Sequence, residues 1–317
     1  MAPTDTAPAT PFADLAVPRD FSARSGDGLE GGLCLGGGGV FFVAWQVSYL
    51  HTAAAGGVDL ATAGRVVGTS AGSVVATNLV GGRLGFLHAQ LSLLSRAPGV
   101  IAALMPSADL GPSQLRALEL FRDATDDDPD TIREIGRAAL AAVTQSPAAV
   151  RRNLSLVVGR GRWPSKALHI TATDTFTGER CVVTHRSGIT RAAAVGASSA
   201  VPGIFPPQPI GDRRCMDGGV GGSGTHLDLL AGARRVVAFT LNDHTEPHAG
   251  MMTQSPDAFP LERQALIDSG TELLQVSPAE VDLLRLMSPT AIPDAVAMGR
   301  RQALEDLERL AAFWHGR

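Results

Sequence analysis

The chain has 317 residues, 44% hydrophobic and 18% charged; this is enough to bury a sizeable core in one large α/β domain or two small ones, and it excludes a disordered chain. Lys and Arg number 27 against 31 Asp and Glu, and the net charge of −4 lacks the basic footprint of a nucleic-acid partner. Three cysteines, Cys34, Cys181 and Cys215, show no C-x-x-C spacing, which argues against a disulfide framework or a zinc site and fits a reducing compartment.

The first residues are rich in Ala, Pro and Thr, without the basic start and apolar stretch of a signal peptide. Residues 1–28 are predicted to be a flexible N-terminal arm, and 29–317 a single domain. No apolar run approaches the length that spans a bilayer, so a cytoplasmic location is expected, with transient contact to a membrane surface left open. Residues 31–35 read as a buried strand. Four glycines follow, and then a helix over 40–55 that is apolar almost all round. A strand at 65–67 leads into a helix over 71–80. Residues 83–158 read as a helical insertion or lid, with helices at 84–96, 112–122, 131–143 and 147–158 and an apolar run at 100–105. The acidic run 126–130 lacks the spacing of a calcium loop and fits a helix cap. Strands at 167–173 and 180–184 flank a hairpin turn. A helix over 189–197, a rigid loop over 198–207, a strand at 214–216, a turn at 217–219, a helix over 225–231 and a strand at 235–241 follow. The last third reads as helix 257–269, strand 271–276, helix 278–286 and helix 295–314. Alternating strands and helices predict a parallel sheet covered on both faces.

Gly68-Thr69-Ser70-Ala71-Gly72 stands between the second strand and its helix. A G-x-S-x-G turn strains its serine so that Oγ is exposed, with the helix N-terminus behind it to favour developing negative charge. A serine helix cap reads almost the same. Gly36 to Gly39 offer successive backbone N–H groups to an oxyanion or a phosphate. They are not a P-loop, for no Gly-Lys-Ser/Thr follows, and the third glycine of a dinucleotide fingerprint is replaced at Phe41 and Phe42. Of eight histidines, His51, His88, His169 and His185 have no acid nearby in sequence, while His226 and His244 are better placed. Ser70, Asp217 and His244 follow the chain order of an α/β-hydrolase triad, although His244 sits in a polar loop. Asp217 follows a strand and precedes two glycines, where it suits a base that approaches another loop or an ordinary turn aspartate.

Four motifs taken together are more specific. Gly37-Gly38-Gly39 after a strand, Gly68 to Ser73, the run Ala197-Ser198-Ser199-Ala200-Val201-Pro202-Gly203-Ile204-Phe205-Pro206-Pro207, and Met216-Asp217-Gly218-Gly219 occur in that order. In these motifs the chain resembles the patatin-like phospholipase family over about residues 31–240. The resemblance implies a three-layer α/β/α sandwich with a mostly parallel central sheet. It implies a serine acyl hydrolase that cleaves lipid or other acyl esters through an acyl-enzyme, with no cofactor and no metal. Ser70 would be the nucleophile, Asp217 its base without a histidine, Gly37, Gly38 and Gly39 the oxyanion donors, and Gly68 and Gly72 the elbow. Phe41 and Phe42 depart from the family, which usually has Arg or Thr and then Gly there; a tighter loop and a narrower pocket are expected. Apolar walls are expected from 84–94 and 100–105, with Phe205 and Pro206 nearby. Arg151, Arg152, Arg160 and Arg162 suit either a lipid phosphate or a solvated face. Other readings are a weak or inactive member that binds acyl chains or a partner, and acyl transfer to an acceptor other than water.

Overall fold

The computed structural model describes residues 15–96, 110–241 and 258–316, in which eight strands form one sheet. They are β1 (Gly31–Leu35), β2 (Arg65–Gly68), β3 (Leu168–Asp174), β4 (Arg180–Val183), β5 (Gln208–Ile210), β6 (Arg213–Asp217), β7 (Arg235–Phe239) and β8 (Glu272–Val276). β3, β2, β1, β7 and β8 lie side by side and parallel, whereas β4 and β6 both run antiparallel to β3, and β5 pairs with β6. The central strands are short runs of aliphatic residues because both faces are covered. Leu33, Leu35, Val66 and Val237 pack into one layer, and Cys34, Val67, Val236 and Ala238 into the other.

The thicker layer contains α1 (Gly39–Ala55), α2 (Ala71–Val80), α3 (Leu84–Leu94), α7 (Arg191–Ser198) and α9 (Ile292–His315). α1 is apolar all round because it is sandwiched between the sheet and α9. Phe42 stacks on Trp45, Tyr49 meets Phe239 edge-on, and Trp45 Nε1 and Tyr49 OH donate to Gln302 and Asp306 of α9 at 2.8 and 2.9 Å. Between α3 and α7 in sequence come α4 (Pro112–Asp123), α5 (Pro129–Ala141) and α6 (Pro147–Val157). Asp128 caps α5 through the N–H of Asp130, as the acidic run suggests. On the opposite face lie residues 227–233 and α8 (Ala258–Asp268).

Residues 15–28, the described part of the expected arm, lie against the body. Leu15 is fully buried, and the Val182 and Val17 N–H groups donate to Leu15 and Arg180 carbonyls at 2.8 and 3.0 Å, so the segment adds a short antiparallel rung to the edge of β4. An edge covered in this way no longer offers a free ladder to another chain. Among the described residues no helix is long and apolar enough to cross a membrane.

Three local expectations are corrected. Residues 225–231 form only a 3-10 turn, Leu227–Leu230, because His226 adopts a left-handed backbone (φ 55°) and buried Asp228 is turned toward Arg180. Residues 278–286 hold a 3-10 turn, Leu283–Arg285, whose start is capped by Asp282, and no α-helix. β5 has no counterpart in the sequence reading, since Pro207 and Pro209 argue against a strand; an edge strand tolerates proline where the missing N–H faces outward.

Candidate active site

The sheet brings two chain ends together on one edge of β3. Ile170 is flanked by Gly68 of β2 and Val183 of β4, so those strands lie on opposite edges. Ala172 is flanked by Cys181 of β4 and Asp217 of β6, which puts β6 on the same edge as β2. β2 runs parallel to β3 and β6 antiparallel, so their C-terminal ends converge with Thr171 between them. Thr69 Oγ1 bonds Thr171 Oγ1 at 2.8 Å across this junction. Two residues past the end of β2, the Ser70 hydroxyl donates to Oδ2 of Asp217, the last residue of β6, at 2.6 Å.

Ser70 occupies a strained conformation, φ 51° and ψ −118°, at the N-cap of α2. A left-handed φ costs a non-glycine residue about 1–3 kcal/mol and persists only where its surroundings fix it. Here the Ser70 N–H donates to Ser198 Oγ at 2.8 Å, and the Ser70 carbonyl accepts from Ser73 and Ser199. Gly72 makes the turn possible, since a Cβ there would lie 1.8 Å from the Leu35 carbonyl oxygen. Ser198 and Ser199 belong to a motif quoted from the sequence, but their part in holding the elbow is visible only in three dimensions.

Asp217 is fully buried. Its Oδ1 accepts from the Gly219 N–H at 2.9 Å. Burial outweighs the bonds from Ser70 and Gly219 and pushes its carboxyl up from 3.8 to about 7. His226 is close in sequence but its role differs. Burial, with Arg180 and Arg19 nearby, lowers it to about 3, so it is neutral; its Nε2 lies 3.0 Å from the Gly218 carbonyl and must be the donor there. His244 lies outside the described residues, as does the apolar run at 100–105.

An apolar cavity of about 180 Å³ opens onto Ser70. Its walls include Val40 and Val43 of α1, Phe121 of α4, Leu154 of α6, Phe205, and Leu286 with Met287. Gly39 and Ala71 also face it; among the described residues the N–H groups of Gly37, Gly38, Gly39 and Ala71 have no acceptor. A Cβ at Gly39 would lie 2.6 Å from the Leu286 carbonyl oxygen, so the segment around Leu286 sits directly on the glycine loop. Phe41 and Phe42 do not narrow the cavity. Both are buried in the core of the thick layer, on the far side of α1 from Val40 and Val43.

The expected wall from residues 84–94 is absent from the lining. α2 carries the chain away from Ser70 by about 15 Å, so α3 begins near the far end of the sheet, where Gly81 approaches Pro164. Pro206 does not line the cavity either. Arg160 lies against Arg191, at the end of α7 remote from Ser198, and Arg151 bonds Gln208 Oε1 at 3.3 Å. Arg151 lies on α6 one turn from Leu154, which lines the cavity, and none of the four arginines is itself part of the lining. Among the described residues no group of three or more His, Cys, Asp or Glu side chains is placed to hold a metal ion, and all three cysteines are free and buried.

The covered eight-stranded sheet defines an α/β protein, and on its β-α elbow a strained serine bonds a buried carboxylate under an apolar cavity. The model of the patatin-like phospholipase family matches residues 33–229, more than half of the chain, and the chain belongs to that family. Family membership points to lipid acyl hydrolysis. Among solved structures the chain is similar to the type III effector protein ExoU, with a TM-score of 0.33 and 17% identity, over 86% of this chain. It spans 53%, about half, of that protein's chain. No curated protein matches the sequence.

Proposed function

We propose that the protein is a carboxylic ester hydrolase that cleaves lipid acyl esters through an acyl-enzyme on Ser70. The observation that carries this reading is the 2.6 Å bond from Ser70 Oγ to a buried Asp217 at the mouth of an apolar cavity. A carboxylate of ordinary pKa is too weak a base for a serine hydroxyl, whereas one raised to about 7 has the basicity of an imidazole.

In the first half-reaction Asp217 takes the Ser70 proton as Oγ bonds to the acyl carbon. The oxyanion lies against N–H groups of the Gly37–Gly39 loop and Ala71, with the α2 N-terminus behind. The carbonyl re-forms, the ester C–O bond breaks, and the alcohol or lysolipid leaves with the proton held by Asp217. In the second, Asp217 takes a proton from water, the hydroxide attacks the acyl carbon, and Ser70 Oγ leaves with that proton as the free acid forms. The acyl chain packs against Val43, Phe121 and Leu154.

The test is a fluorophosphonate probe and a p-nitrophenyl ester on purified protein. Wild type is expected to label at Ser70 and to release an alcohol burst, and Ser70→Ala to do neither. Unlabelled wild type with no turnover would overturn the reading in favour of an inactive, acyl-binding member.

A further inference from the structure

The segment that carries Asp217 has little rigidity of its own. Residues 217–226 contain five glycines, and the backbone is left-handed at Gly224 and His226. Gly loses more freedom on folding than any other residue, so such a loop needs outside restraint. Two charged residues far apart in sequence provide it. Arg19 reaches in from the N-terminal segment, and its guanidinium donates to the Gly221 carbonyl at 2.6 Å. The same guanidinium pairs with Glu262 of α8, Nε to Oε1, at 3.3 Å. The other oxygen of Glu262 accepts from Thr225 Oγ1 at 2.9 Å and from the Leu227 N–H at 3.3 Å. Glu262 is only 2% exposed. Gly222 leaves the space for Arg19, since a Cβ there would lie 1.8 Å from its terminal nitrogen.

A second ion pair seats the segment that delivers Arg19. Arg180 grips Asp228 with two bonds of 2.5 and 2.7 Å and also donates to the Val17 and Pro18 carbonyls, while the Asp20 N–H donates to Asp228. The Asp217 loop is thus held from outside the region matched by the family model, by one residue before it and one after it.

We propose that Arg19 and Glu262 are positioning residues: together they clamp the 217–226 loop so that the Asp217 carboxylate stays dry and aligned with Ser70, which makes the N-terminal segment part of the working site. The proposal rests on Asp217 being the base. Neither clamp residue touches substrate.

The sign of one measurement separates this role from a plain charge effect. Removing a positive charge raises a nearby carboxyl pKa, whereas a loosened loop admits water and lowers it. The test is a ¹³C-carboxyl NMR titration of Asp217, assigned by its loss in Asp217→Asn, in folded wild type, Arg19→Ala and Arg19→Lys. The wild-type midpoint is expected at about 7. In Arg19→Ala it falls toward 3.8, and fluorophosphonate labelling of Ser70 slows by about 10²-fold, the cost of misplacing a reacting group by roughly 1 Å. Arg19→Lys keeps a cation for Glu262 and a donor for Gly221, and restores most of both. If Arg19→Ala does not fold, Arg19→Gln, which keeps a donor but drops the charge, is read in its place. A midpoint that stays at about 7 or rises overturns the clamp. Because the titration needs no turnover, it judges the clamp even if wild-type Ser70 fails to label, an outcome that overturns the hydrolase reading instead.

Discussion

Replacing Asp217 with Asn should remove activity and add stability, and both effects follow from one buried carboxyl. The group ionises at about 7 in the folded protein against 3.8 ordinarily, so the fold favours its protonated form. The stabilisation from that proton is fully present below pH 3.8 and is lost as pH rises through 7; above it, holding the buried carboxylate costs about 4 kcal/mol. Roughly half of this, about 2 kcal/mol, is lost between pH 5.5 and pH 9. Asn has nearly the same shape and keeps an acceptor for the Gly219 N–H, but it cannot ionise. Urea unfolding of wild type and Asp217→Asn at both pH values measures the difference. The stability of the variant relative to wild type should increase by about 2 kcal/mol from pH 5.5 to pH 9, while ester turnover falls by about 10²–10⁴-fold for loss of the base. A constant gap between the two proteins, or an Asn variant that still turns over ester, would refute the assignment of a dry, proton-accepting carboxylate. In wild type the same titration should appear as a kcat/KM that rises with pH around a midpoint near 7.

Ser70→Gly should be more stable than Ser70→Ala by about 1 kcal/mol in chemical denaturation, because glycine relieves the left-handed φ of 51° that alanine keeps. Gly72→Ala should cost about 3 kcal/mol or more, seen as a large drop in Tm or insolubility, since its Cβ meets the Leu35 carbonyl oxygen rather than a movable side chain. Met287→Ala should extend the acyl-chain preference in a p-nitrophenyl series from butyrate to laurate. The cavity of about 180 Å³ is somewhat larger than the ~150 Å³ that holds a benzene ring, so the wild-type optimum should lie at roughly six to eight carbons.

How far the sequence foretells this molecule depends on how local each feature is. The Gly68 to Gly72 elbow and the cap in the acidic run 126–130 carry local signatures that the sequence places, although Ser198 and Ser199, remote in sequence, hold the elbow in its strained form. The helix over 40–55 is foretold as buried, but what buries it, α9, lies at the other end of the chain. The apolar repeat of Leu227, Leu229 and Leu230 suggests a helix; the Arg180–Asp228 pair and the left-handed His226 decide otherwise, and both are tertiary. Leu286 and Met287 line the cavity from a stretch whose apolar pattern reads as an ordinary helix. Arg19 and Glu262 are single charges in unremarkable surroundings, and nothing in their neighbourhood signals that they meet at the loop after Asp217. Phe41 and Phe42 suggest a narrowed pocket by position along the chain, but helical periodicity turns Val40 and Val43 to the cavity and the phenylalanines to the core.

The strand directions account for Ser70 meeting Asp217 directly, with no side chain between them. In an all-parallel sheet the neighbouring strand would run the same way as β2 and end at the same end of the sheet, so its C-terminal residue would lie beside Ser70 rather than facing it. Here β6 runs against β2 along the same edge of β3, so Asp217 arrives head-on, with its backbone fixed by the Asp217 N–H to the Ala200 carbonyl at 3.0 Å. A short side chain is enough to bridge that gap, as the 2.6 Å bond from Ser70 Oγ shows. The buried histidine of the same loop donates to Gly218 instead, which leaves its lowered pKa without consequence for proton transfer and its hydrogen bond as one more restraint on Asp217. With Asp217 as the base proposed above, basicity comes from dryness, and dryness depends on a glycine-rich loop staying closed.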